Sequence, residues 1–363
     1  MSAELEPAGL DKVLLAFDWQ IAWCRSGDAP FTANILEAIR DNLARGGSLA
    51  PLVVPWPGDL RTDALQLRVA GALHFMVLIG RAPGLARFYP PHGRDVFDRE
   101  AVAREIETAV AVNLELVRDT ISRPPQTNEV GRSAVLMPGY SDIARRTGLP
   151  LRVLELGASA GLNMQWDRYA YRYGERFVGS PAAPLTIAAE WRGPWSGVSE
   201  LPRVAERRGC DRSPIDLTHA NAGERLISYV WPEQAERLTR LAGAIALARL
   251  EKPKVDNEDA GVWLDRHLAT PAPRVATVVA HTIVWQYFSK ETAARAKAAL
   301  VAAGERATSD APLAWLSLEQ YAVDQWPELR LTLWPGGERE LLARAHPHGT
   351  WIEWLRGSSL PAA

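Results

Sequence analysis

Between Leu10 and Arg145 the apolar positions recur three and four residues apart, as at Leu67, Ala70, Gly71, His74, Val77 and Leu78. That spacing keeps one stripe of a 3.6-residue helix apolar, so it predicts a helical region. Prolines interrupt it near Pro51 to Pro57 and at Pro90-Pro91, where a missing N–H ends a helix. After Pro150 the period changes. Leu151-Arg152-Val153-Leu154-Glu155-Leu156 is a short, nearly continuous apolar run, the pattern of a strand covered on both faces. Glycine-rich residues lead from it into the amphipathic stretch Leu162 to Tyr169, which reads as a helix. Further strands are expected at Arg203 to Cys210, Val275 to His281 and Leu313 to Leu318, with helices at Glu233 to Leu250 and Lys290 to Ala303 between them. Such alternation predicts an α/β fold, a parallel sheet covered by helices. Leu329 to Trp334 and Leu341 to Trp354, separated by Pro335-Gly336-Gly337, read as terminal antiparallel strands.

At 363 residues the chain is long enough for two domains. The change of period places them at 1–148, an N-terminal helical domain, and 149–363, a sheet domain. With 47% apolar and 23% charged residues the composition is that of a globular protein. A net charge of -2 offers no broad basic surface for a phosphate backbone, which argues against nucleic acid as partner. No apolar run approaches the ~18 residues that span a bilayer, and Met1 to Glu6 is acidic where a signal peptide is basic. No membrane partner is expected, and the expected location is cytoplasmic. Cys24 and Cys210 form neither a CxxC pair nor a zinc pattern, in keeping with a reducing compartment. No metal site is expected.

Chemistry concentrates at the carboxyl ends of the expected strands, where open parallel sheets bind ligands. Gly157 and Gly161 bracket a tight turn after the first strand; glycine there lets backbone N–H groups approach a ligand. Ser159 stands between them, and no third glycine follows at the dinucleotide spacing, which counts against a pyrophosphate site. A serine hydroxyl can instead donate to a carboxylate. Asp211 closes the next expected strand, placed to accept both hydroxyls of a ribose, or to cap a helix starting at Pro214. Asp259 precedes the amphipathic Gly261 to Leu268, as an acceptor for an adenine amine or as another cap.

Val153 to Gly161 and Gly209-Cys210-Asp211-Arg212-Ser213-Pro214 resemble class I S-adenosylmethionine-dependent methyltransferases. Over nearly its whole length the chain is similar to an uncharacterised bacterial family, the domain of unknown function numbered 2332. That similarity is carried by Gln126 to Arg132, by Glu155 to Asn163 continuing to Asp167-Arg168-Tyr169, and by His281 to Tyr287. The methyltransferase resemblance implies a Rossmann-like methyltransferase-type sheet binding S-adenosylmethionine. It implies that Glu155, Gly157 and Gly161 flank the methionine end, Asp211 the ribose and Asp259 the adenine, with Ala158, Ser159, Asn163, Arg212 and Ala260 as further cofactor-binding candidates. Two features depart from that pattern. Ser159 replaces the middle glycine, and an insert at about 166–202 separates the first strand from Asp211. The insert's alternating Tyr169 to Tyr173 and Leu185 to Trp191 read as a hairpin over the site.

Methyl transfer needs an oriented acceptor and at most one base. His281, ending a strand and able to titrate near neutrality, is the leading base or substrate-orienting candidate, or else a structural histidine bonded to a carbonyl. Glu129 is the second catalytic candidate. Asn128, Arg132, Trp285, Gln286 and Tyr287 are candidates for holding a small-molecule methyl acceptor, with core packing or helix capping as the structural alternatives. Gly157-Ala158-Ser159-Ala160-Gly161 also has the spelling of a hydrolase elbow, with His346 or His348 and Asp310 or Asp324 to complete a triad. A nucleoside-binding protein without catalysis is the third reading. His346-Pro347-His348 reads as a turn rather than a metal site. The oligomeric state is not written in these patterns.

Overall fold

The computed structural model describes residues 9–91, 97–322 and 324–356; the acidic Met1 to Glu6 lies outside the described residues. Two compact units emerge, one of residues 1–127 with 219–239 and one of 128–218 with 240–363.

The first unit is helical. It contains α1 (Leu10–Ser26), α2 (Pro30–Ala44), α3 (Ala50–Val53), α4 (Leu65–Leu78), α5 (Pro83–Ala86), α6 (Arg99–Val112) and α7 (Leu114–Ser122). Their buried faces meet in one core that includes Phe17, Leu36, Ile39, Leu73, Met76 and Ile106. Because the stripes of these helices recur at helical spacing, each buries its apolar side against the others and turns its charges outward.

The second unit opens with α8 (Ser133–Thr147), which belongs with the sheet although it precedes the boundary expected at 148. The reason is packing. Gly139 lies so close to the sheet that a Cβ there would meet the Leu316 side chain at 2.8 Å. The unit continues with β1 (Leu151–Leu156), β2 (Ala170–Tyr173), β3 (Arg176–Val178), β4 (Thr186–Arg192) and β5 (Val204–Asp211). The chain then enters the helical unit as α9 (Ala222–Ser228) and returns along α10 (Ala235–Glu251). After it come β6 (Val255–Asn257), α11 (Ala260–His267), β7 (Ala276–Thr282), α12 (Lys290–Glu305), β8 (Leu313–Glu319), β9 (Glu328–Trp334), β10 (Arg339–Ala345) and β11 (Trp351–Trp354).

Among the described residues eleven strands form one sheet in the order β3-β2-β4-β11-β10-β9-β8-β7-β1-β5-β6. The protein is a mixed α/β fold with a large, mostly parallel sheet and many helices. From β6 through β5, β1 and β7 to β8 every pair is parallel. The chain therefore builds outward from β1 in one direction and then starts again on the other side with β7, so the strand order reverses between β1 and β7. Leu154 and Leu156 on one face of β1 pack with Trp263 and Leu264 of α11 and Ala296 and Leu300 of α12. Burial on both faces explains why this strand reads as an unbroken apolar run.

Beyond β8 the sheet becomes antiparallel through β9, β10 and β11. The stretch expected as one strand from Leu341 is two, because the turn at His346–Gly349 breaks it. The insert does not form a hairpin over the β1 exit. Its two alternating segments, β2 and β4, pair parallel with each other at the far end of the sheet, and β4 joins β11. The antiparallel partner of β2 is instead the short β3. Nor does an α-helix follow the glycine turn at Leu162 to Tyr169: Asn163–Arg168 is a 3₁₀ segment. Tyr169 and Tyr171 donate their hydroxyls back to Leu162 and Trp166 carbonyls, which ties this segment into the strand that follows. Among the described residues no helix is long and apolar enough to cross a membrane.

Candidate functional site

The reversal of strand order places the exits of β1 and β7 side by side, with Leu156 registered against His281. Crevices at such points are where open parallel sheets take ligands. The turn after β1 runs through positive φ at Gly157 (66°), Ser159 (53°) and Gly161 (72°). Its glycines serve close packing. A Cβ on Gly157 would meet Val284 at 2.3 Å, and one on Gly161 would meet Pro253 at 2.7 Å. Ser159, although not glycine, adopts the same left-handed backbone, a costly conformation for a side-chain-bearing residue.

Asp211 at the end of β5 is what holds Ser159 there. One of its carboxylate oxygens accepts from the Ser159 amide at 2.9 Å and the other from the Ser213 amide at 2.8 Å. The Ile215 amide donates in turn to the Ser159 carbonyl. Thus the glycine turn and Asp211 stand together, and no helix begins at Pro214. Arg212 points to solvent beside them. The Ser159 hydroxyl is buried and has no hydrogen-bond partner. Glu155, on β1, is 3% exposed; burial, reinforced by the neighbouring charge of Asp211, pushes its carboxyl up to about 8. Two polar groups that water would normally satisfy are thus held close to dry at one strand exit.

The segment before α8 closes over this turn. The Asn128 side chain donates to the Ala158 carbonyl and accepts from the Leu162 amide. Asn163 donates to the Glu129 carbonyl and accepts from the Ser133 hydroxyl. Glu129 itself is buried, accepting from the Gly131 amide at 3.0 Å and from the guanidinium of Arg240 at 3.3 Å. Arg132 reaches the Pro347 and Thr282 carbonyls. Asn128, Glu129 and Arg132 therefore gather at the site as a backbone-binding clamp. Arg240 was not foreseen from the sequence. It sits in an ordinary amphipathic helix, and its only sequence signal is a charge at a half-buried helical position.

Residues 15–354 match the model of a family described as an uncharacterized protein conserved in bacteria (DUF2332). The chain belongs to that family. No curated protein and no solved structure matches it.

In this DUF2332 protein the β7 exit differs from the β1 exit. His281 is 1% exposed. Its Nδ1–H donates to Glu319 at 2.6 Å, while Nε2 accepts from the indole N–H of Trp315 at 2.9 Å. Because an indole can only donate, Nε2 carries no proton and its lone pair is occupied. This geometry corrects the reading of His281 as a base: the ring links two strands. Glu319 also accepts from the Val284 and Trp285 amides, fixing the loop after β7. Ile283 in that loop has φ 46°, rare for a β-branched residue. The Trp285 ring lies 5.0 Å from His281 and 5.5 Å from Trp315, within an aromatic cluster, whereas Gln286 and Tyr287 are exposed.

Asp259 is a helix cap. One oxygen accepts from the Gly261 and Val262 amides and the other from the Thr292 hydroxyl. Ala260 is buried beneath it. Asp256, within β6, is held by Arg208 and Trp263 and kept low, at about 2, chiefly by the Arg208 hydrogen bonds.

The hydrolase arrangement is not assembled. No histidine partners the Ser159 hydroxyl, His346 Nδ1 accepts from the His348 amide within its turn, and the Asp310 carbonyl pairs with Arg274 just before β7, at the opposite edge of the sheet. A cavity of about 610 Å³ also lies at that opposite edge, lined by Asp142, Arg145, Pro150 and Arg203; none of the expected site residues borders it. Among the described residues no group of three or more His, Cys, Asp or Glu is arranged to hold a metal ion.

Proposed function

We propose that this protein is an S-adenosylmethionine-dependent methyltransferase acting on a small molecule, its cofactor held at the β1 exit of a Rossmann-like sheet. The observation that carries this reading is the unpartnered, buried hydroxyl of Ser159, in a strained turn bonded to Asp211 and following the uncompensated carboxyl of Glu155. An amino-acid headgroup would satisfy both groups: its carboxylate would accept from Ser159 and its ammonium would ionise Glu155. Asp211 retains lone pairs for ribose hydroxyls, since each oxygen accepts one amide and can accept more. The donor set thus fits the methionine and sugar parts. It does not fit adenine at Asp259, whose oxygens cap α11.

When bound, the cofactor supplies a methyl carbon already activated by its sulfonium. The work left to the chain is orientation and exclusion of water. With His281 engaged at both nitrogens and Glu129 bonded to Arg240 and Gly131, neither expected base is poised to take a proton. The acceptors that suit this site are therefore nucleophiles that need no protein base. Gln286 and Tyr287, exposed beside the β7 exit, are the contacts proposed for them. The same lack of a base favours a second reading, a nucleoside-binding protein without catalysis. Calorimetry with S-adenosylhomocysteine tests the shared premise: saturable binding is expected, and no heat at millimolar ligand removes both readings. Methyl transfer from labelled cofactor to compounds of a cell extract then separates them.

A further inference from the structure

The connection from β4 to β5 is pinned at its two ends and left unbonded between them. At its start the Trp191 indole donates to the Pro194 carbonyl, and the Trp195 ring packs on Trp191 at 4.6 Å with the Arg176 guanidinium over it. At its end the Leu151 amide of β1 donates to the Arg203 carbonyl. Among the described residues no protein group accepts from the amides of Ser196 to Leu201, and the Ser196 hydroxyl is buried without a partner. This stretch forms one wall of the cavity of about 610 Å³ where β1 and β5 begin, and α8 forms the other. Such a volume suits a small molecule, and a buried hydroxyl costs free energy unless something answers it.

The charges around the cavity say what would answer it. Asp142 is 7% exposed, and its oxygens accept from Arg145 and Arg356, with Arg146 at 3.5 Å. Arg146 and Arg356 also reach Glu340, so three guanidiniums share two carboxylates. Arg145, at the cavity, commits one nitrogen to Asp142 and leaves its side chain 52% exposed. Arg203, which also lines the cavity, is exposed and its guanidinium has no partner among the described residues. Glu200 on the rim is the opposing acid, and the surroundings keep one positive charge in excess. Guanidiniums with open N–H groups favour carboxylate and phosphate oxygens. Pro150, Val198, Leu201 and Pro202 supply apolar contact for a carbon skeleton.

We infer that this cavity is a binding site for a small organic anion, a carboxylate or a phosphate ester, gripped by Arg145 and Arg203 and hydrogen-bonded by the Ser196 hydroxyl. It lies at the opposite end of β1 from the proposed cofactor and does not depend on that reading. A bare inorganic ion is the poorer occupant, since it would leave most of the volume and the apolar wall to water.

Citrate and glycerol 3-phosphate are the probes, one for each acid, with glycerol and inorganic phosphate as controls. Hydrogen exchange of the full chain reads the site directly. The amides of Ser196 to Leu201, which no protein group holds, should slow severalfold with at least one probe and with neither control. Arg145→Gln and Arg203→Gln should each weaken that probe about tenfold. The thermal midpoint should stay in place, because the Arg203 guanidinium bonds nothing and Asp142 keeps Arg356 and Arg146. Glu200→Gln should tighten binding by removing the one repulsive charge. The probe that binds tells a carboxylate site from a phosphate-ester site. Binding of neither, protection produced equally by glycerol or inorganic phosphate, protection confined to other segments, or affinity indifferent to both arginine changes would each overturn the inference.

Discussion

The exits of β1 and β7 are neighbours in one sheet, yet they are finished in opposite ways. At β7 the buried imidazole is answered on both sides: His281 uses both nitrogens, and one Glu319 oxygen gathers an imidazole N–H and two backbone amides. At β1 the Ser159 hydroxyl is bare and the Glu155 carboxyl is buried beside another acid. A closed network stabilises the fold, since unanswered donors in a dry interior cost free energy. An open one is tolerated where something else completes it. The contrast makes the β7 exit architecture and the β1 exit the place proposed above for binding.

The largest effect is expected where the closed network is opened. Glu319→Ala strands the His281 N–H and two amides, and should cost about 3–5 kcal/mol in urea unfolding. A loss below about 1 kcal/mol would mean the network is not closed, and the comparison would fail at its β7 side. Next comes Glu155. Its folded pKa of about 8 lies above the ordinary 4.5, so the folded state holds a proton that the unfolded chain has released. Stability from this group is complete below about 4.5 and is lost as pH rises towards 8, at up to about 1.4 kcal/mol per pH unit. Glu155→Gln should flatten that slope and be more stable than the parent at pH 8 by a few kcal/mol. Equal pH profiles for the two proteins would show that the carboxyl is compensated after all.

Why these two exits could be told apart only in three dimensions is a matter of range. Strands buried on both faces announce themselves, so β1, β7 and β8 were legible as apolar runs, and the glycine turn with Asp211 was legible because strand ends are where acids and glycines have consequences. Three-residue β6 is too short to show a period. The partner of His281 lies 38 residues away on β8, and nothing local distinguishes an imidazole that will be doubly bonded from one that will be free. The insert was misread for a related reason. Its alternating segments specify strands but not neighbours, and β4 finds its place against β11, a pairing between segments far apart in the sequence. Asp259 was legible as an acid before a helix; whether it caps or binds was decided by Thr292 from the next helix.

Smaller effects sharpen the β1 side. Gly157→Ala must place a Cβ against Val284 in left-handed backbone, which should cost about 1–3 kcal/mol; trimming the obstacle with Val284→Ala should recover part of that loss. If the single variant were neutral, the tight approach between the two exits would not exist.

Ser159→Ala is the most discriminating change and the smallest in stability. Removing a hydroxyl that makes no hydrogen bond takes away a desolvation penalty and no interaction, so folding stability should stay within about 1 kcal/mol and rise if anything. The left-handed backbone is unaltered, because alanine and serine bear the same Cβ. Ligand is where the loss should appear: a hydroxyl that donates to a carboxylate in a dry site is worth about 1.5–3 kcal/mol, a weakening of S-adenosylhomocysteine of roughly tenfold or more by calorimetry. Clear destabilisation with binding intact would invert the assignment, making Ser159 part of the architecture and leaving the β1 exit as closed as its neighbour.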